Sequence, residues 1–159
     1  MSVAISAIML MATMLVQAGP AAAPPQSARG ATSPARTACS LMTPQEIATI
    51  TGGRVRDGEP QTAPLGTECR FRTSATDWVN VALGPVDAKT FATIRRLLGA
   101  QAETLAGVGN EAYFEGNVRV SVRMGTQSLI IGLARNDQGN ANTKAQVLAL
   151  AKLGASRLR

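Results

Sequence analysis

The sequence predicts an α+β fold: an antiparallel sheet of about six strands with helices on one face, in the order α-βββ-α-βββ-α. Three observations predict it. Period-two alternation recurs in short runs such as Thr67–Arg72, Trp78–Leu83 and Val118–Met124. Helical spacing recurs after Thr43, after Asp87 and from Ala145. Clusters of Gly, Pro and Asn punctuate these runs. The first two helix starts also share a fragment, Glu46-Ile47-Ala48-Thr49-Ile50 beside Thr90-Phe91-Ala92-Thr93-Ile94, which hints at a pseudo-duplicated αβββ unit.

The first 37 residues are read as export and tether. Val3 to Val16 is an uncharged apolar run of 14 residues, the length of a signal-peptide core and short of the roughly 20 that span a bilayer. Val16-Gln17-Ala18 supplies small residues for cleavage after Ala18, so residues 1–18 are read as a signal peptide, with an uncleaved anchor as the alternative. No Lys or Arg precedes the run, which departs from the usual signal pattern. Residues 19–37, rich in Ala, Pro and Ser, bury too little apolar surface to offset their ordering entropy and are read as a disordered linker. Residues 38–159 then form a single domain, able to bury roughly 65% of its unfolded surface. With only five aromatics in the chain, its core is expected from Val, Ile, Leu and Ala.

The domain opens on the strongest local signal. Thr43 is placed to cap a helix, Pro44 falls at the first helical position, and Glu46 completes a capping box. Met42 and Ile47 have the spacing of a hydrophobic staple, and Gly52-Gly53 stops the helix. Arg54-Val55-Arg56 is read as a short strand and Glu59 to Gly66 as a loop. On Thr67–Arg72, Cys69 and Phe71 face inward while Glu68, Arg70 and Arg72 face outward. On the next strand Val79, Val81 and Leu83 face in, Trp78, Asn80 and Ala82 out. Asp87 caps a second helix carrying Phe91, Ile94 and Leu98 on one side. Gln101 to Asn110 is read as a loop, Ala112–Phe114 and Val118–Met124 as a hairpin, and Ser128–Arg135 as a central strand. Arg119, Ser121 and Arg123 face outward. The turn-rich Asn136 to Asn142 leads to a last helix presenting Leu148, Ala151, Ala155 and Leu158.

Two cysteines in an exported chain favour pairing of Cys39 with Cys69, free thiols being the alternative. The pattern Cys39-Ser40-Leu41-Met42-Thr43-Pro44-Gln45-Glu46, then Cys69-Arg70-Phe71, then Gly107-Val108-Gly109-Asn110-Glu111-Ala112-Tyr113-Phe114 resembles a family of small exported bacterial proteins, common as actinobacterial lipoproteins. The resemblance spans roughly residues 38 to 158. It implies an α+β envelope domain with a Cys39–Cys69 bridge and carries no established activity or catalytic residues. The chain lacks the cysteine that lipoprotein members carry at the cleavage site.

The chemistry available is narrow. The absence of histidine excludes Ser-His-Asp and Cys-His sites. Gly107-Val108-Gly109 precedes a strand, the wrong context for a dinucleotide site. Asn136-Asp137-Gln138-Gly139-Asn140 lacks calcium-loop spacing. No motif calls for a cofactor or a metal, and the apolar run aside there is no candidate transmembrane span. A net charge of +6 suggests anionic neighbours. The candidate binding face gathers Arg70, Arg72, Trp78, Asn80, Arg119, Ser121 and Arg123, and a single tryptophan speaks against single-stranded nucleic acid as the partner. The expected function is a non-enzymatic exported module, periplasmic or secreted, that binds a protein or anionic envelope component. The alternatives are a small hydrolase, using carboxylates among Glu103, Glu111 and Glu115 or Ser40 or Ser121 with Lys89, Lys144 or Lys152, and a structural envelope protein.

Overall fold

The computed structural model describes residues 36–135 and 141–159. The segment read as a signal peptide, nearly all of that read as a linker, and residues 136–140 of the turn-rich stretch lie outside the described residues. Thr37 caps a 3-10 turn, Ala38–Ser40, whose buried Ala38 donates its N–H to Thr67 Oγ1 at 2.8 Å. Next comes α1 (Pro44–Thr51) with the full capping box: Thr43 Oγ1 accepts from the Glu46 N–H, and Glu46 Oε2 accepts from the Thr43 N–H at 2.8 Å. Met42 and Ile47 are both buried, as a hydrophobic staple requires.

Seven strands follow: β1 (Glu59–Gln61), β2 (Thr67–Arg72), β3 (Trp78–Pro85), β4 (Ala102–Leu105), β5 (Glu111–Glu115), β6 (Arg119–Met124) and β7 (Gln127–Ala134). They form one antiparallel sheet in the order β1-β2-β3-β7-β6-β5-β4. The first strand is not Arg54–Arg56. Between them, Gly58 passes the disulfide so closely that a Cβ there would lie 2.5 Å from Cys69 Sγ, and the chain joins the ladder only beyond that point. Arg56 contributes one bond, its N–H to the Arg72 carbonyl at 3.0 Å. β4 lies inside the stretch read as a loop. It is a four-residue edge strand whose opening Ala-Glu has little β-propensity, and its pairing with β5 supplies the order.

The core lies between the sheet and α1 with α3 (Ala141–Ser156). Cys69, Phe71, Val79, Val81, Val120, Val122, Leu129 and Ile131 point into it from the sheet, as the alternation predicts. The buried stripe of α3 is Val147, Leu150, Ala151 and Ala155, with Leu148 and Leu158 only half-buried beside it. Gly154 lets α3 approach: a Cβ there would lie 2.8 Å from Leu129 Cδ2. The scarce aromatics are concentrated inside, since Phe71, Phe91, Tyr113 and Phe114 are all buried.

The helices do not share one face. β3 and β4 run in the same direction, so their connection must cross the sheet, and α2 (Ala88–Leu98) is that crossover. Its Phe91 stacks against Tyr113 at 5.0 Å between ring centroids. Tyr113 alternates with the core residues Ala112 and Phe114, so α2 covers the opposite side of the sheet. The helices carrying the shared Ala-Thr-Ile fragment thus lie against different faces, and the second is followed by four strands. Among the described residues no helix is long and apolar enough to cross a membrane.

Candidate functional site

Register builds the candidate site. On the side away from the core, Arg70, Asn80, Gly132, Arg119 and Glu115 pair in one continuous row across five strands, flanked by Glu59 on β1 and Ala102 on β4. Three strand spacings separate Arg70 from Arg119, roughly 14 Å. The next row places Arg72 beside Trp78. Helix α2 covers the β4–β5 side of this face, Ser121 at the middle of β6 is buried as well, and β2, β3 and β7 with the Arg119 end of β6 stay open.

Within the open part, Glu68, Asn80, Ala82, Arg119, Ile130 and Gly132 line a shallow depression of about 210 Å³. Its floor is low because Ala82 and Gly132 are small. No clash demands glycine at 132: the nearest atom to a Cβ there would be Arg119 Nε at 3.9 Å. Glu68 forms one rim, and Arg70 stands beside Asn80 just outside the lining. Its guanidinium lies 5.3 Å from the centre of the Trp78 ring, and its Nε donates to Asn80 Oδ1 at 3.3 Å. Arg119 fixes the other, held by Glu115 at 3.1 Å yet still half exposed.

The other expected residues fall differently. Ser121 is buried beside Tyr113, which α2 covers, and donates to Glu115 Oε1 at 2.5 Å. Arg123 is engaged by Glu111 and the Gly125 carbonyl, both at 2.8 Å. Arg72 donates to the Ala75 carbonyl at the sheet's end. The four arginines of this face are also matched by four glutamates, Glu59, Glu68, Glu111 and Glu115. The face is therefore patterned with both signs rather than basic.

No family model, curated protein or solved structure matches this chain.

Several of the residues weighed for catalysis make structural contacts. Glu103 pairs with Lys144, whose ammonium also lies 4.7 Å from the centre of the Phe114 ring. Glu111 and Glu115 share a face of one strand, but four residues of strand separate them by roughly 13 Å, beyond the spacing of a glycosidase pair. Ser40 Oγ donates to the Thr37 carbonyl. Among the described residues no serine hydrogen-bonds a lysine, and no group of three metal-ligating side chains converges. The Gly107-Val108-Gly109 loop packs on β6: Val108 is buried, and Gly109, at φ 62°, lies so close that a Cβ would meet the Arg123 carbonyl at 2.7 Å.

The expected binding face did not include Glu68, Ala82, Ile130 and Gly132. The signal was there, because inward Leu129, Ile131 and Leu133 leave Ile130 and Gly132 facing out.

Proposed function

We propose that this chain is a non-catalytic exported binding module that docks a protein partner on the open part of its sheet. The observation that carries this is the row Arg70–Asn80–Gly132–Arg119, in which two arginines flank a low, partly apolar floor beside a half-buried tryptophan. Arginine and tryptophan are the side chains that most often anchor interfaces. Charges of both signs on one face suit a protein surface of complementary pattern better than a uniformly anionic polymer. Export rests on the apolar run Val3–Val16 and on the Cys39–Cys69 bridge, which belongs in an oxidising compartment. The resemblance to small exported envelope proteins points the same way.

Arg70→Ala combined with Arg119→Ala should weaken capture of an envelope partner at least tenfold. Stability should change little, because a pair such as Arg119–Glu115, whose guanidinium is half exposed, is worth about 0–1 kcal/mol. Neutralising Lys152 and Arg159, both exposed on the other side, is the charge control. Equal loss in both double variants would show that attraction is net charge alone and that the open face holds no site.

A further inference from the structure

The end of the sheet where β2 turns into β3 carries a different arrangement. Arg54, Val55 and Arg56, from the segment between α1 and β1, meet Arg72, Thr73, Ser74 and Ala75 around a cavity of about 670 Å³. That volume is in the range of small-molecule sites. Backbone pairing brings two of the arginines together, since the Arg56 N–H donates to the Arg72 carbonyl.

The lining holds three guanidiniums and no carboxylate. Among the described residues neither Arg54 nor Arg56 has an ion pair or a side-chain hydrogen bond, and Arg72 donates only to the Ala75 carbonyl at 3.3 Å. Neither of the acids nearest in sequence lines the cavity. Asp77 accepts from Thr76 Oγ1 at 3.1 Å and stands 4.0 Å from Arg135 Nε, while Asp57 is exposed and outside the lining.

Hydroxyls complete the donor set. Ser74 Oγ accepts from the N–H groups of Thr76 and Asp77, at 3.2 and 3.0 Å, so its own O–H is left to donate. Thr73 also lines the cavity, and its Oγ1 is buried without a hydrogen-bond partner, a cost that calls for an explanation. Three cations gathered without a counter-charge also repel one another, and an oxyanion would relieve that repulsion.

We infer that this cavity binds a phosphate-type oxyanion, either a soluble phosphoester or the phosphate of a lipid headgroup. Planar guanidiniums suit such groups because each can offer two parallel N–H donors to two oxygens. The site is distinct from the open sheet face, and its test leaves Arg70 and Arg119 in place.

The experiment uses the full chain, isotopically labelled and titrated with inorganic phosphate against sodium chloride at matched ionic strength. A second arm follows cosedimentation with phosphatidylcholine vesicles containing phosphatidylglycerol. Saturable amide shifts are expected at residues 54–56 and 72–75. Arg54→Gln with Arg56→Gln should weaken binding at least tenfold at an unchanged melting temperature, while Arg70→Ala with Arg119→Ala leaves it within twofold. Arg56→Lys, which keeps the charge and loses the fork of donors, should fall between. Saturation by phosphate alone assigns a soluble phosphoester; Arg54- and Arg56-dependent binding to vesicles alone assigns a headgroup. Shifts spread evenly over the exposed arginines and lysines, or a double variant that binds like the parent in both arms, would overturn the proposal.

Discussion

Glu46 joins two ends of the domain. Its carboxylate accepts from the Arg157 guanidinium at the end of α3 and from the N–H and hydroxyl of Thr43. Those hydrogen bonds, led by the one from Arg157, hold its pKa at about 2, down from 4.5. A lowered carboxyl pKa means that the stabilisation is complete above about pH 4.5 and is lost as pH falls through about 2. Glu46→Gln should therefore flatten the dependence of melting temperature on pH between 5 and 2, and cost about 1 kcal/mol at neutral pH. An unchanged acid slope would mean that Arg157 makes no difference to Glu46 in solution. The capping half of this arrangement was legible in the spacing Thr43…Glu46. The Arg157 half was not, because a contact spanning 111 residues leaves no local signature.

At the scale of elements, α2 is the least embedded helix. Phe91 is its one fully buried residue, and Leu97 is 81% exposed. Phe91→Ala should cost roughly 3 kcal/mol as the stacking on Tyr113 is lost. Amide exchange should accelerate across residues 88–98 and leave 127–134 slow. Uniform acceleration would show instead that α2 unfolds only with the whole domain. An apolar stripe such as Phe91, Ile94 and Leu98 says that a helix has an inner side, but not which face of a sheet receives it. The deciding signal lay in the partner strand. Ala112, Tyr113 and Phe114 are three successive buried residues, a pattern expected of a strand covered on both faces. Strands β2, β3 and β7, covered on one face only, show the clean alternation that made them readable.

At the scale of the described domain, one disulfide ties distant parts of the chain. The Cys39–Cys69 bridge ties the entry turn to β2 and closes a loop with a sequence separation of 30. Such a loop closure stabilises by about 3–4 kcal/mol in the chain-entropy model, so Cys69→Ala should lower stability by roughly 2–4 kcal/mol in denaturant melts. Two thiols freely alkylated in the folded, unreduced protein would contradict the bridge. Composition and compartment reasoning could anticipate this pairing because two cysteines allow only one intramolecular bridge. They could not anticipate the charge balance of the open face, because register decides which glutamate stands opposite which arginine.

Arg36 donates to the Arg157 carbonyl, and Arg157 in turn to the Leu41 carbonyl at 2.6 Å, so both limits of the described chain meet at one corner beside α1 and α3. That corner lies across the sheet from the Arg70–Arg119 row. A label, resin linker or fusion partner joined after Arg159 would leave from the side of α1 and α3. Immobilised that way, the protein would display its open face to solution, the orientation a surface-based binding measurement needs.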